Sequence, residues 1–148
     1  MDFQLNDEQR AIRGLAREFA TQEVAPVAAE LDREGRFPYE IVAKLGELGF
    51  MGMPFPQEYG GGGTDYISYA LVIEELARAD SSVAITVAAH TSLGSFPIHA
   101  FGSERQRRNG FPSSARGNGS PPSGSPSPKR VRTRPRCTPP RAATARNG

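Results

Sequence analysis

The chain has 148 residues, 37% of them hydrophobic and 23% charged, with a formal net charge of +2. That length fits one domain, or one domain and a tail. The average hides two unlike parts. Residues 1–104 hold 7 Lys+Arg against 16 Asp+Glu, a net of −9, and residues 105–148 hold 11 Lys+Arg and no acid, a net of +11. After Glu104, Phe111 and Val131 are the only Val, Ile, Leu, Met, Phe or Tyr residues. The first part can bury a core, whereas burial in the second cannot offset its chain entropy, so a disordered basic tail is expected over 105–148. No apolar run approaches the length of a membrane span, and the acidic start Met1-Asp2-Phe3-Gln4 lacks the pattern of a signal peptide. A cytoplasmic chain without a membrane partner is the expectation. One cysteine, Cys137, excludes an intramolecular disulfide framework and a Cys-rich zinc site.

Helical spacing dominates residues 1–104. Asn6 or Asp7 can cap a first helix, with Glu8 in its first turn. Ile12, Leu15, Ala16 and Phe19 then fall on one stripe of a 3.6-residue period. Pro26 interrupts that pattern and suits the first turn of a second stretch carrying Val27, Ala28 and Leu31, which Gly35 and Pro38 end. A third helix starts near Tyr39, places Ile41, Leu45 and Leu48 on one face, and stops at Gly49. The run from Phe50 through Pro54, Pro56 and Gly60–Gly63 reads as loop. Thr64 or Asp65 restarts a helix with Tyr69, Val72, Ile73 and Leu76 on its apolar face. Asp80, Ser81 or Ser82 caps a fifth, apolar on nearly all sides until His90 and therefore expected to be central. Pro97 follows, and no useful strand alternation occurs. The expected architecture is all-α, a bundle of about five to six helices.

The chemical candidates are sparse. Gly60–Gly63 invites a phosphate-loop interpretation, but Thr64-Asp65 follows where Lys-Ser/Thr is needed, and no strand precedes. A plain flexible connector is the expectation. His90 and His99 stand nine apart, which matches no helical metal pair, so no metal is expected. His99 is expected to be structural or exposed. His90 interrupts an apolar helix and suits either a hydrogen-bonded core histidine or a ligand-facing one. Glu74-Glu75 suggests paired carboxylates, yet helical neighbours point about 100° apart, so a solvated face is expected. The basic run Lys129 to Arg136 could bind nucleic acid by counterion release, nonspecifically, since no aromatic residue is interleaved for stacking. Cys137 there has no recognisable activating partner.

Five ordered features together resemble the N-terminal helical domain of the acyl-CoA dehydrogenases. They are Leu5-Asn6-Asp7-Glu8-Gln9 with Phe19; Glu23-Val24-Ala25-Pro26; Leu45-Gly46-Glu47-Leu48-Gly49-Phe50; Pro56-Gln57-Glu58-Tyr59-Gly60-Gly61; and Glu74-Glu75-Leu76-Ala77-Arg78 followed by His90-Thr91-Ser92-Leu93-Gly94 and Phe101-Gly102-Ser103-Glu104. The resemblance covers residues 1–104 and makes them an acyl-CoA dehydrogenase N-terminal-like α-domain. It implies a parent enzyme with two further domains, a β-domain and a C-terminal helical domain, that hold FAD together with a neighbouring subunit. It also implies a homo-oligomeric parent. The implied reaction is α,β-dehydrogenation of an acyl-CoA thioester to a trans-2-enoyl-CoA, with a glutamate of the C-terminal domain as base and FAD as hydride acceptor. Position by position, it makes Thr86, Ala89, His90 and Leu93 pocket-lining candidates for the acyl chain. No catalytic or cofactor-binding residue is carried over onto this chain, which is expected to be inactive and not to bind FAD tightly.

Past Gln106-Arg107 the family pattern dissolves. Synonymous codons for Ser120 to Thr133 exist that, read two bases on, spell AAFGLTEPEAGSD, and the family continues with a segment of the form LTEPxAGSD. A frame slip between Glu104 and Asn109 is therefore expected, with residues 105–148 an out-of-frame translation. The alternatives are a helical protein-binding module with a basic arm and a truncated product that exposes apolar surface and aggregates.

Overall fold

The computed structural model describes residues 4–115, and side chains as far as Gly110. Among these residues the chain is all-helical. Five continuous helical rods occupy 7–34, 39–47, 66–79, 81–101 and 104–115. In order, the α-helices are α1 (Asp7–Phe19), α2 (Ala25–Glu34), α3 (Tyr39–Glu47), α4 (Tyr66–Ala79), α5 (Ser81–Ala89), α6 (Phe96–Phe101) and α7 (Glu104–Ala115). Helix α7 carries helical backbone across the charge break at Glu104. The rest of the expected tail, 116–148, lies outside the described residues.

The ends of α1 and α4 show why the bundle forms as it does. Asn6 caps α1 in a capping box: Gln9 N donates to Asn6 Oδ1 at 2.8 Å, and Asn6 N donates to Gln9 Oε1 at 3.1 Å. The buried Gln9 also donates from Nε2 to Asp65 Oδ2 at 3.0 Å, and Asp65 caps α4 by accepting from Ser68 N at 2.7 Å. One glutamine thus ties two helix starts together and sets α1 and α4 running in the same direction. Asp80 caps α5 in the same manner, accepting from Ser82 N at 2.6 Å.

Two rods contain π turns, at Ala20–Val24 and His90–Ser95. In each, an N–H reaches five residues back, Ala25 to Ala20 and Phe96 to Thr91. Each turn lies just before a proline, Pro26 or Pro97, which lacks a donor and whose ring would strike the carbonyl four residues earlier. The wider turn removes that clash. Pro26 does fall in the first turn of α2, as expected, but the π turns leave the rods continuous where an interruption was expected.

The main core joins Ala16 and Phe19 of α1, Val24, Ile41 and Leu45, the loop residues Phe50, Met51 and Met53, and Val72, Leu76, Val83 and Val87. Three positions expected on apolar faces are more open. Leu15 and Leu48 are 45% and 41% exposed, each at the edge of its stripe. In α5, Ile85 is 66% exposed, so only the inner half of that apolar helix is central.

The glycine run is a packed element and not a plain connector. Each of its four N–H groups donates to a carbonyl of the same loop: Gly60 to Gln57 (2.9 Å), Gly61 to Pro56 (3.1 Å), Gly62 to Gly52 (3.0 Å) and Gly63 to Phe55 (2.8 Å). Gly60 and Gly63 have φ of 85° and 68°, in the left-handed region. A Cβ on Gly61 would lie 2.2 Å from Phe55 O. Gly61→Ala should therefore destabilise by about 1–3 kcal/mol through forced backbone displacement. Gly14→Ala, where a Cβ meets nothing within 4 Å on exposed α1, should stabilise by about 1 kcal/mol. Thermal melts of the two variants check this; equal and small shifts would show that the loop does not need its close approach.

Candidate substrate-facing site

Thr86, Ala89, His90 and Leu93 follow one another at i, i+3, i+4 and i+7 along α5 and its π turn. Leu93 is 77% exposed, and the other three are half-buried. The inner side of the same segment is closed: Val83, Ala84, Val87, Thr91 and Ser95 are buried. Thr86 Oγ1 donates to Ser82 O at 2.8 Å, so this hydroxyl keeps its lone pairs facing outward while its proton stays within the helix. His90 Nε2 lies 3.4 Å from Ser95 Oγ, which steadies the ring from the buried side. Of the two expectations for His90, the structure shows a half-buried ring with a side-chain partner on the same turn. Tyr69 approaches this turn from α4; burial raises its pKa, offset in part by the Thr91 hydroxyl.

His99 is half-buried, between Phe55 at 5.6 Å and Tyr59 at 6.3 Å between ring centroids. Tyr59 OH donates to Glu104 Oε2 at 2.9 Å, which ties α7 to the loop and, with Arg108, holds the Glu104 carboxyl below its ordinary pKa. Among the described residues no group of three or more His, Cys, Asp or Glu side chains could hold a metal ion, and no helix is long and apolar enough to cross a membrane.

The strongest electrostatic feature joins α1 to α4. Glu75, expected on a solvated face with Glu74, is 2% exposed. Arg13 Nε donates to its Oε1 at 2.8 Å, and Arg17 forks onto both oxygens, Nη2 to Oε1 at 2.8 Å and Nε to Oε2 at 3.1 Å. Arg78 adds a contact at 3.7 Å. Glu74 does remain open to solvent. The two arginines that α1 presents four residues apart meet the one carboxylate that α4 turns inward. The Arg17 hydrogen bonds are the largest cause lowering the Glu75 pKa to about 2, against burial, with Arg13 next.

An all-helical domain with a closed inner face and an uncovered stripe on α5 is the class of protein these features define. Residues 6–118 match the family model described as acyl-CoA dehydrogenase, N-terminal domain. The chain belongs to the acyl-CoA dehydrogenase family, through that domain. It is 47% identical over 108 residues to the probable acyl-CoA dehydrogenase YngJ of Bacillus subtilis, covering 73% of this chain and 28% of that protein. It is 46% identical, with the same two coverages, to the short-chain specific acyl-CoA dehydrogenase of Clostridium acetobutylicum. The solved structure of butyryl-CoA dehydrogenase from Megasphaera elsdenii superposes with a TM-score of 0.74 at 40% identity, covering 79% of this chain and 31% of that one. The chain thus spans less than a third of the length of these relatives. The family match continues past Glu104, where the ordered motifs cease.

The Glu75 carboxyl has a folded pKa below its unfolded value of 4.5, so its contribution is present above that value and fades as pH falls through about 2. The shift corresponds to about 3 kcal/mol for this buried side chain. Glu75→Gln should lose about that much at pH 7, nearer the low end for a broken buried pair because the arginines can rehydrate. The variant should also flatten the pH dependence of stability between about pH 5 and pH 2. Urea midpoints across that range check both effects, and an unchanged midpoint at pH 7 would show that the Glu75 cluster adds nothing to stability.

Proposed function

We propose that this helical domain supplies one wall of the acyl pocket of a flavin-dependent acyl-CoA dehydrogenase, whose reaction is α,β-dehydrogenation of an acyl-CoA thioester to a trans-2-enoyl-CoA. The observation that carries the proposal is the shared outward stripe of Thr86, Ala89, His90 and Leu93 on a rod whose other side is sealed. Ala89 leaves room for an acyl chain, His90 narrows the space beside it, and exposed Leu93 offers apolar contact. A homo-oligomeric parent and a cytoplasmic location go with this function.

The glycine run and the Arg13–Arg17 pair do not offer FAD an anchor. A flavin pyrophosphate needs free N–H donors or cations. The Gly60–Gly63 N–H groups are taken by carbonyls, and Arg13 and Arg17 are taken by Glu75. The domain's role is to bound the acyl group, and the base and the flavin site belong to residues outside it. The proposal therefore gives this domain no flavin of its own and no turnover. The purified chain should carry little flavin by its visible spectrum and should not oxidise acyl-CoA thioesters; near-stoichiometric flavin, or turnover, would overturn the proposal.

We infer further that the reading frame slips between Glu104 and Asn109. The supports are the end of the acids at Glu104, the 11 Lys+Arg beyond it, and the two-base-offset reading of Ser120 to Thr133. A frame slip would account for both the lost family pattern and the Arg-, Pro- and Ser-rich composition in a single event.

A further inference from the structure

The rod of residues 81–101 carries a face unlike the rest of the domain. Residues 81–103 contain no Asp, Glu, Lys or Arg, whereas residues 1–80 hold 7 Lys+Arg against 15 Asp+Glu. Along this rod Ile85, Ala89, Leu93, Pro97 and Phe101 follow one another in steps of four, which stay near one side of a helix. Ile85, Leu93 and Phe101 are 66%, 77% and 86% exposed, Pro97 is exposed and Ala89 is half-buried. Beside Leu93, a Cβ on Gly94 would meet nothing within 4 Å, so the middle of the face is open to close approach. Where the rod ends, α6 and α7 border a groove of about 660 Å³. Pro97, Ile98, Phe101 and Gly110 are among its lining, and Arg105 is the one charged residue there.

This stripe is its own complement. Leu93 is the midpoint, with Ile85 eight residues before it and Phe101 eight residues after it. We propose that two copies of this chain pair antiparallel through this face. A two-fold axis passes at Leu93, and Ile85 of each copy seats at the α6–α7 groove of the other, beside Phe101. Charge selects this occupant. Contact between copies through the acidic surface of residues 1–80 brings net negative charge together, and contact through the 81–103 face brings none. The charged residues that bound the rod are Asp80 before it and Glu104 and Arg105 after it. Glu104 already accepts from Tyr59 and Arg108. The antiparallel sense therefore sets Asp80 of one copy toward the basic end of the other. At about 200 Å² for a whole phenylalanine side chain, the exposed stripe offers roughly 500 Å² on each copy. The pair then buries roughly 1,000 Å², the lower bound of a specific interface. A two-fold contact also closes at two copies. The same stripe forms the acyl-pocket wall in the proposed function, so the pairing competes with that use of the face and does not rest on it.

In sedimentation velocity the 148-residue chain should show a monomer–dimer equilibrium with a dissociation constant on the order of 10 μM. Salt near 0.5 M should not weaken it, because the contact is apolar. Leu93→Glu sets two carboxylates together at the axis and should raise the constant about tenfold or more. Leu15→Glu, at an exposed apolar position on α1, should leave it unchanged. Ile85→Lys should weaken the pair as well, since its ammonium would approach Arg105 of the other copy, and adding Phe101→Glu should recover part of that loss. Ile85 and Phe101 stand about 24 Å apart along one rod at 1.5 Å per residue, so the recovery needs two copies. All four positions are exposed, so the fold is expected to survive each change. A monomer at roughly 0.5 mM or open-ended aggregation would overturn the proposal. So would a dimer that dissolves in salt, which would mean attraction of the 11 Lys+Arg beyond Glu104 to the acidic domain. An equal effect of Leu15→Glu, or no recovery in the double variant, would count against it in the same way.

Discussion

Glu75 fixes the frame on which the rest of the domain is hung. It is a carboxylate turned into a helix interface, and it is tolerable there only because Arg13 and Arg17 satisfy both oxygens. Those two arginines sit one helical turn apart, so the contact sets the rotation of α1 against α4 as well as their separation. The Gln9–Asp65 hydrogen bond does the same at the helix starts. Two tethers more than a turn apart define one relative position for two rods. Helix α5 comes directly after α4 and the single capping residue Asp80, so the outward angle of the stripe from Thr86 to Leu93 is inherited from that position.

The π turns complete the geometry. A proline could have ended each rod. Instead, the wider turns before Pro26 and Pro97 let the helical hydrogen bonding continue past each proline. In the second rod this leaves Thr91 and Ser95 buried with His90 and Leu93 facing outward. The stripe is then a consequence of backbone geometry within one rod, held from behind by packing that is complete without any ligand.

Much of this is legible in the sequence. The helix starts are announced by short polar residues before an apolar period, and of the alternatives at each start the caps are Asn6, Asp65 and Asp80. Gly35 and Gly49 announce stops, and both take the left-handed backbone that such stops require. The departures have common physical causes. A proline tells where a donor is missing but not whether a π turn will absorb it. A glycine run signals a loop, but only the carbonyls of Gly52, Phe55 and Pro56, brought close by folding, make it a packed one. Glu75 does not read as buried because its partners lie 58 and 62 residues away. One signal is available: Glu75 falls beside Val72 and Leu76 on the apolar side of α4, where an acid demands a partner. The stripe residues come from family resemblance, and periodicity alone does not single them out.

Through its helices the domain belongs to the family, and the frame slip proposed between Glu104 and Asn109 is the claim on which the account of the remaining residues rests. Direct sequencing of the gene across codons 104–110, with translation onward in all three frames, tests this most directly. The expected result is a shifted frame that continues through a segment of the form LTEPxAGSD. An unbroken frame with no family sequence in either alternative would contradict the frame slip, and would make the basic segment an authentic arm of a helical binding module.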